Sequence, residues 1–254
     1  MDISLFFPYQ LPLWQWIIVL FSCLCFGMSK TGINGISTVA VPLFALVFGG
    51  KESTGVVLPL LCFADLVAVL YYRRHAEWKY IIKLLPWALA GFGLALLADR
   101  LVPPRGFKML IGSCILAGLL IMVWNDRRGK DAAIPSAWWF QAVFGVMGGF
   151  STMIGNAAGP VMSVFLLSVR LPKHSFVGTA AWFFLIVNYL KLPLQLFVWH
   201  NITLESLLFD LPLVPFILLG AWLGIILVKN VSEKVFRILV YGLTVVSTAL
   251  LFIG

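Results

Sequence analysis

The sequence predicts an all-α polytopic membrane protein built from two inverted repeats, each a broken or re-entrant helix hairpin followed by three transmembrane helices. Three observations carry that prediction. Hydrophobic residues make up 61% of the 254 residues and charged residues 11%, against about half and a quarter in soluble domains, and the apolar residues fall in runs long enough to cross a bilayer. Two of the runs are interrupted by small and polar residues, at Gly27–Thr38 and at Gly148–Pro160. Loop charge assigns the two halves opposite orientations.

In chain order, the N-terminal repeat (residues 1–126) opens with an interrupted pair at 13–48 and continues with helices at 53–72, 81–98 and 107–124. A cytoplasmic linker at 127–136 leads into the C-terminal repeat (residues 137–254), with an interrupted pair at 137–169 and helices at 175–199, 207–228 and 235–253. At 1.5 Å per residue, each arm around Lys30 reaches about 25 Å, short of the roughly 30 Å hydrocarbon core. Short arms joined through glycines favour a re-entrant hairpin or a broken span over two full crossings.

The repeat shows in the alignment of Gly32, Gly55 and Asp65 with Gly155, Gly178 and Asn188 at a common offset, and of Phe107–Ile111 with Phe236–Val240 after a small insertion. Arg73, Arg74, Lys79 and Lys83 put the loop after the third run in the cytoplasm. Its counterpart, His200–Glu205, has no lysine or arginine and is expected outside. Arg127, Arg128 and Lys130 then fall inside, as do Arg170 with Lys173, and Lys229 with Lys234 and Arg237. Lys51 and the group Arg100, Arg105 and Lys108 remain outside, against the bias. Both termini come out on the outer, periplasmic face of a bacterial inner membrane. No basic residue precedes Lys30, so a cleaved signal peptide is not expected.

Several function classes are excluded on composition and spacing. The +8 net charge sits in short clusters between apolar runs, the pattern of membrane topology and not of a nucleic-acid surface. Cys23, Cys25, Cys62 and Cys114 lie inside apolar segments, and His75, His174 and His200 fall in separate loops, so neither a disulfide framework nor a metal site is expected. Lys30-Thr31 resembles the end of a phosphate-binding loop, but Ser29 and Leu24 stand where that loop needs glycines. No enzymatic activity and no cofactor are expected.

What remains is polarity inside the membrane. Interrupted helices turn half-helix N-termini inward, where unpaired N–H groups attract anions, and glycines let backbone approach a ligand closely. Ser29, Thr31, Asn34, Ser37, Ser151, Thr152 and Asn156 supply neutral hydrogen-bonding groups, with Gly32, Gly35 and Gly155 beside them. The competing reading of each is helix capping or close packing. Lys30 is an anion ligand if the hairpin is re-entrant and a water-facing loop lysine if both arms cross fully. Lys191, about 13 Å from the outer end of its helix, should face the cavity or a partner. Asp65, some 18 Å into its helix, is a candidate proton carrier or counter-charge to Lys30 or Lys191. Its repeat equivalent Asn188 keeps the polarity without the charge.

The chain resembles the sulfite exporter TauE/SafE family on the breaks Gly32-Ile33-Asn34-Gly35 and Gly155-Asn156-Ala157-Ala158-Gly159, on Val41-Pro42-Leu43, and on the duplicated Phe107–Ile111 and Phe236–Val240 segments. Asn34 interrupts the first glycine cluster, alanines dilute the second, and Val164-Phe165 replaces the second Val-Pro. The resemblance implies an inner-membrane transporter exporting sulfite, sulfoacetate or a related anion, with a small anionic substrate and the lipid bilayer as its partners. An importer of thiosulfate or small carboxylates, or a membrane-embedded assembly or cofactor-delivery protein, are the alternatives.

Overall fold

Prolines and small residues punctuate the apolar runs, and the helices start and stop at them. The computed structural model describes residues 9, 11–32, 36–49, 52–98 and 137–253. All regular elements among them are helical: α1 (Leu13–Thr31), α2 (Ser37–Phe48), α3 (Glu52–Tyr72), α4 (Trp78–Ala98), α5 (Trp138–Gly155), α6 (Gly159–Ser168), α7 (Lys173–Phe197), α8 (Leu204–Asp210), α9 (Val214–Asn230) and α10 (Glu233–Ile253). The helix expected at 107–124 and the linker at 127–136 lie outside the described residues.

Pro12 and Pro172 stand at the N-caps of α1 and α7, and Pro160 and Pro215 occupy the first turns of α6 and α9, where a missing N–H leaves no bond unmade. A capping box starts α8, in which the Thr203 hydroxyl accepts from the Ser206 amide at 3.1 Å and the Thr203 amide donates to the Ser206 hydroxyl at 3.0 Å. The span expected at 207–228 arrives in three pieces, α8, a 3-10 turn at Leu211–Leu213 and α9. Pro212 lies within the turn and Pro215 just after it, each removing an amide that a continuous helix would use.

Among the described residues, five stretches are long and apolar enough to cross a membrane: Leu13–Thr31, Glu52–Tyr72, Trp78–Ala98, Lys173–Phe197 and Leu204–Asn230. The core is apolar, with Phe26, Phe165 and Phe176 fully buried, but the outer surface is apolar too. Large apolar side chains face outward, including Leu13, Ile17, Leu70, Ile82 and Leu97, while Ser29, Lys30, Asp65, Thr152, Asn188, Lys191 and Gln195 are buried. So much exposed apolar surface is stable only against lipid, and Trp14, Trp78, Trp138 and Trp139 near helix ends add amphipathic rings to it.

Three helix pairings organise the interior. A Cβ at Gly27 or Gly220 would collide with the facing backbone, of Ile217 and Leu24 respectively, so α1 and α9 cross in parallel at backbone contact. Gly91 and Gly149 do the same for α4 and α5. Small residues of this kind let membrane helices approach until dispersion holds them. The third pair, α3 and α7, is antiparallel: Gly55 near the start of α3 abuts Asn201 beyond the end of α7, and Gly178 near the start of α7 abuts His75 beyond the end of α3. The short helices α2 and α6 lie against this centre.

Candidate functional site

The two interruptions meet at the middle of the α3–α7 pair. Helix α1 ends in Ser29-Lys30-Thr31, all buried, and α5 ends at Gly155 with Asn156 in the left-handed region (φ 53°). That conformation is mild for asparagine, and it directs the Asn156 and Ala157 amides back to the Thr152 and Ser151 carbonyls at 3.0 and 3.2 Å. The chain restarts with Gly159-Pro160, which opens α6.

A narrow cavity with room for about one water molecule lies between these ends. Ser29 and Lys30 reach it from α1, Ser37 from the start of α2, Leu61 from α3, Thr152 and Asn156 from the end of α5, Gly159 from the start of α6, and Phe184 and Asn188 from α7. Both short helices therefore present their N-terminal ends to the cavity, the end that carries partial positive charge.

Lys30 is an interior residue and not a water-facing loop lysine. Its Nζ lies 2.8 Å from Asp65 Oδ1 and 4.2 Å from the centroid of the Phe184 ring, so one ammonium meets a carboxylate and a π face. The other carboxylate oxygen of Asp65 accepts from Asn188 Nδ2 at 2.6 Å. Because a carboxylate only accepts, the Asn188 amide is oriented, and its Oδ1 is left buried without a partner among the described residues. Lys191, fully buried, donates to the Thr152 carbonyl at 2.9 Å, to the Thr152 hydroxyl at 3.2 Å and to Asn156 Oδ1. Three acceptors match three ammonium protons, and the carbonyl belongs to a helix C-terminus, which favours a cation. All three acceptors are neutral. Among the described residues, two lysines thus face a single aspartate in a region of low dielectric.

Of the residues singled out from sequence, Ser29, Lys30, Ser37, Thr152, Asn156 and Asn188 line the cavity, and Asp65 and Lys191 form its second layer. Others point elsewhere. The Thr31 hydroxyl donates to the Ala221 carbonyl at 2.7 Å and to Gly27 at 3.1 Å, and a Cβ on Gly32 would press on Gly224, so both residues serve the α1–α9 contact. The Ser151 hydroxyl turns back onto the Met147 carbonyl at 2.7 Å, satisfying its own helix. Gly155 has open space around its Cβ position. Asn34 and Gly35 lie outside the described residues.

Three lining residues were not anticipated: Leu61, Gly159 and Phe184. Phe184 falls one turn before Asn188 and two before Lys191, and Leu61 one turn before Asp65, so helical periodicity along the polar face carries the signal for both. The histidines also differ from expectation. His75 and His174, separate in sequence, have ring centroids 5.5 Å apart, though no group of three or more metal-ligating side chains occurs among the described residues.

Helices long and apolar enough to span a membrane, with two interruptions around a buried cavity lined by Lys30, belong to the class of multi-pass membrane proteins with a polar interior. A family model, sulfite exporter TauE/SafE, matches residues 19–251. The chain belongs to that family, and with it to membrane transporters of the sulfite-exporter type. No curated protein and no solved structure matches the chain.

Proposed function

We propose that the protein is a secondary transporter that exports a small sulfur-containing anion, such as sulfite, sulfoacetate or a related organosulfonate, across the bacterial inner membrane by alternating access. The observation that carries this reading is the excess of basic over acidic side chains at the cavity: Lys30 in its wall and Lys191 behind it, against Asp65 among the described residues. An anion between Ser29, Thr152 and Lys30 neutralises the excess, receives hydroxyl hydrogen bonds, and sits at the N-terminal ends of α2 and α6. The unpartnered Asn188 Oδ1 suits an O–H on the substrate or a water carried with it.

The anion and Asp65 compete for Lys30. As the anion draws Lys30 away, a proton neutralises the carboxylate left behind, so anion and proton load together. A dianion leaving with one proton still carries one negative charge outward, which releases about 2.3 kcal/mol per 100 mV of interior-negative potential.

An inverted repeat supports alternating access. Ser29 and Thr152, Leu61 and Phe184, and Asp65 and Asn188 are each separated by 123 residues, and all border this one cavity or its second layer. Equivalent residues of two units touch only near the axis relating them, as Asp65 and Asn188 do. The parallel α1–α9 and α4–α5 pairs are what that same axis would exchange, and substrate sites of such folds lie at the repeat interface.

Proteoliposomes with an imposed potential test the reading. Wild type is expected to move sulfite, thiosulfate or sulfoacetate, and Lys30→Met to move none of them. Absence of flux for all three anions in wild type would overturn the substrate class.

A further inference from the structure

We propose that Thr54, Gln195 and Asn201 form a second anion-contacting station, on a route that leads from the central cavity to the connection at residues 198–203. The proposal rests on the anion-transport reading for its cargo and on separate residues for its location.

Gln195 lies one turn beyond Lys191 on α7, on the same face, and is fully buried. Its hydrogen bonding is directional. Asn201 Nδ2 donates to the Thr54 hydroxyl at 3.1 Å, and that hydroxyl donates to Gln195 Oε1 at 3.4 Å. This chain orients the Gln195 amide, and leaves Nε2, which bears two protons, with no acceptor among the described residues. A buried amide donor without a partner is destabilising, and a transport route is one place where it has use, since a passing anion completes it. The same relay reaches the cavity, because the Thr54 carbonyl accepts from Asn156 Nδ2 at 3.3 Å while Asn156 Oδ1 accepts from Lys191.

Charge along this line favours anions. Thr54 sits in the first turn of α3, a positive helix end, and Lys191 is one turn away. The carboxylates flanking this stretch in the sequence, Glu52 and Glu205, are both exposed. The route is closed in this conformation, because Gly55 meets the Asn201 backbone with no space for a Cβ. Parting α3 from the 198–203 connection opens it and exposes Gln195 Nε2 to whatever leaves the cavity. Pro59 on α3 and Pro193 on α7 lie next to this level, where each frees a carbonyl and gives its helix a place to bend.

The test is thiol labelling of full-length Gln195→Cys in detergent, with Cys23, Cys25, Cys62 and Cys114 replaced by serine or alanine. Sulfonatoethyl methanethiosulfonate is expected to react at least tenfold faster than its trimethylammonium analogue. Thr244→Cys, equally buried on α10, should remain inert to both. No reaction at position 195, or equal rates for the two reagents, overturns the station. Gln195→Leu provides a second measurement, since removing an orphan donor should leave folding intact or raise Tm. The station predicts at least tenfold lower anion flux in that variant, and unchanged flux overturns it. If wild type moves no sulfur anion while position 195 still prefers the anionic reagent, the substrate reading fails and the route stands.

Discussion

Removing one partner of a buried ion pair strands the other charge, which makes Lys30 and Asp65 a sharp test at the level of single side chains. Lys30→Met should destabilise the protein by about 3–5 kcal/mol. Adding Asp65→Asn should recover most of that loss, because the stranded Asp65 carboxylate is then gone, while transport stays absent from both variants. Thermal unfolding of the solubilised protein alongside flux measures the two effects separately. The pairing itself was within reach of sequence reasoning, since a carboxylate 18 Å into an apolar helix needs a cation. The orientation of neighbours was not. Thr31 is adjacent to Lys30 in the chain, but consecutive helical residues point about 100° apart, which sends its hydroxyl to α9. Lys191 illustrates another limit, because no sequence pattern announces that a lysine will be satisfied by a helix-end carbonyl, a hydroxyl and an amide on a different helix.

Among helices, the decisive quantity is how near two backbones come. Gly149→Leu would drive a side chain into the Ala88 carbonyl and should separate α4 from α5, lowering Tm and abolishing flux. Gly93, on the same α4, has nothing within 4 Å of its Cβ position. Gly93→Ala is expected to be neutral or to stabilise by about 0.5–1 kcal/mol through helix propensity. The two outcomes should appear in one thermal-unfolding series, and equal effects would contradict the packing described here. The interruptions were legible because glycine, asparagine and proline cluster at them. Which helix each glycine would meet was not legible, since glycines recur along membrane helices and the partner is set by the tertiary arrangement.

For the whole molecule, the all-helical, lipid-facing character followed from composition and run length. The convergence of both interruptions on one cavity required the alignment of the two halves as well. Function at this scale turns on how charge moves with the cargo. If Asp65 takes up a proton as Lys30 turns to the anion, flux depends on pH, and Asp65→Asn should flatten that dependence while retaining some potential-driven flux. Measuring flux from pH 5.5 to 8.5 at fixed potential decides this, and an unaltered profile in Asp65→Asn would remove the proton from the scheme.

The charges also bear on how the chain is made. Lys30 finds Asp65 35 residues downstream, and Lys191 finds Asn156 and Thr152 35 and 39 residues upstream. The hydrogen bond that ties the Lys30–Asp65 pair to the other half, from Asn188 to Asp65, spans 123 residues and adds no second charge. Each half can therefore enter the bilayer during synthesis with its own ammonium already satisfied, before docking with the other. Co-expressed fragments 1–130 and 131–254 should then insert independently and reassemble. Asp65→Asn in the first fragment, by leaving Lys30 without its carboxylate, should shorten that fragment's lifetime in a pulse-chase while sparing the second.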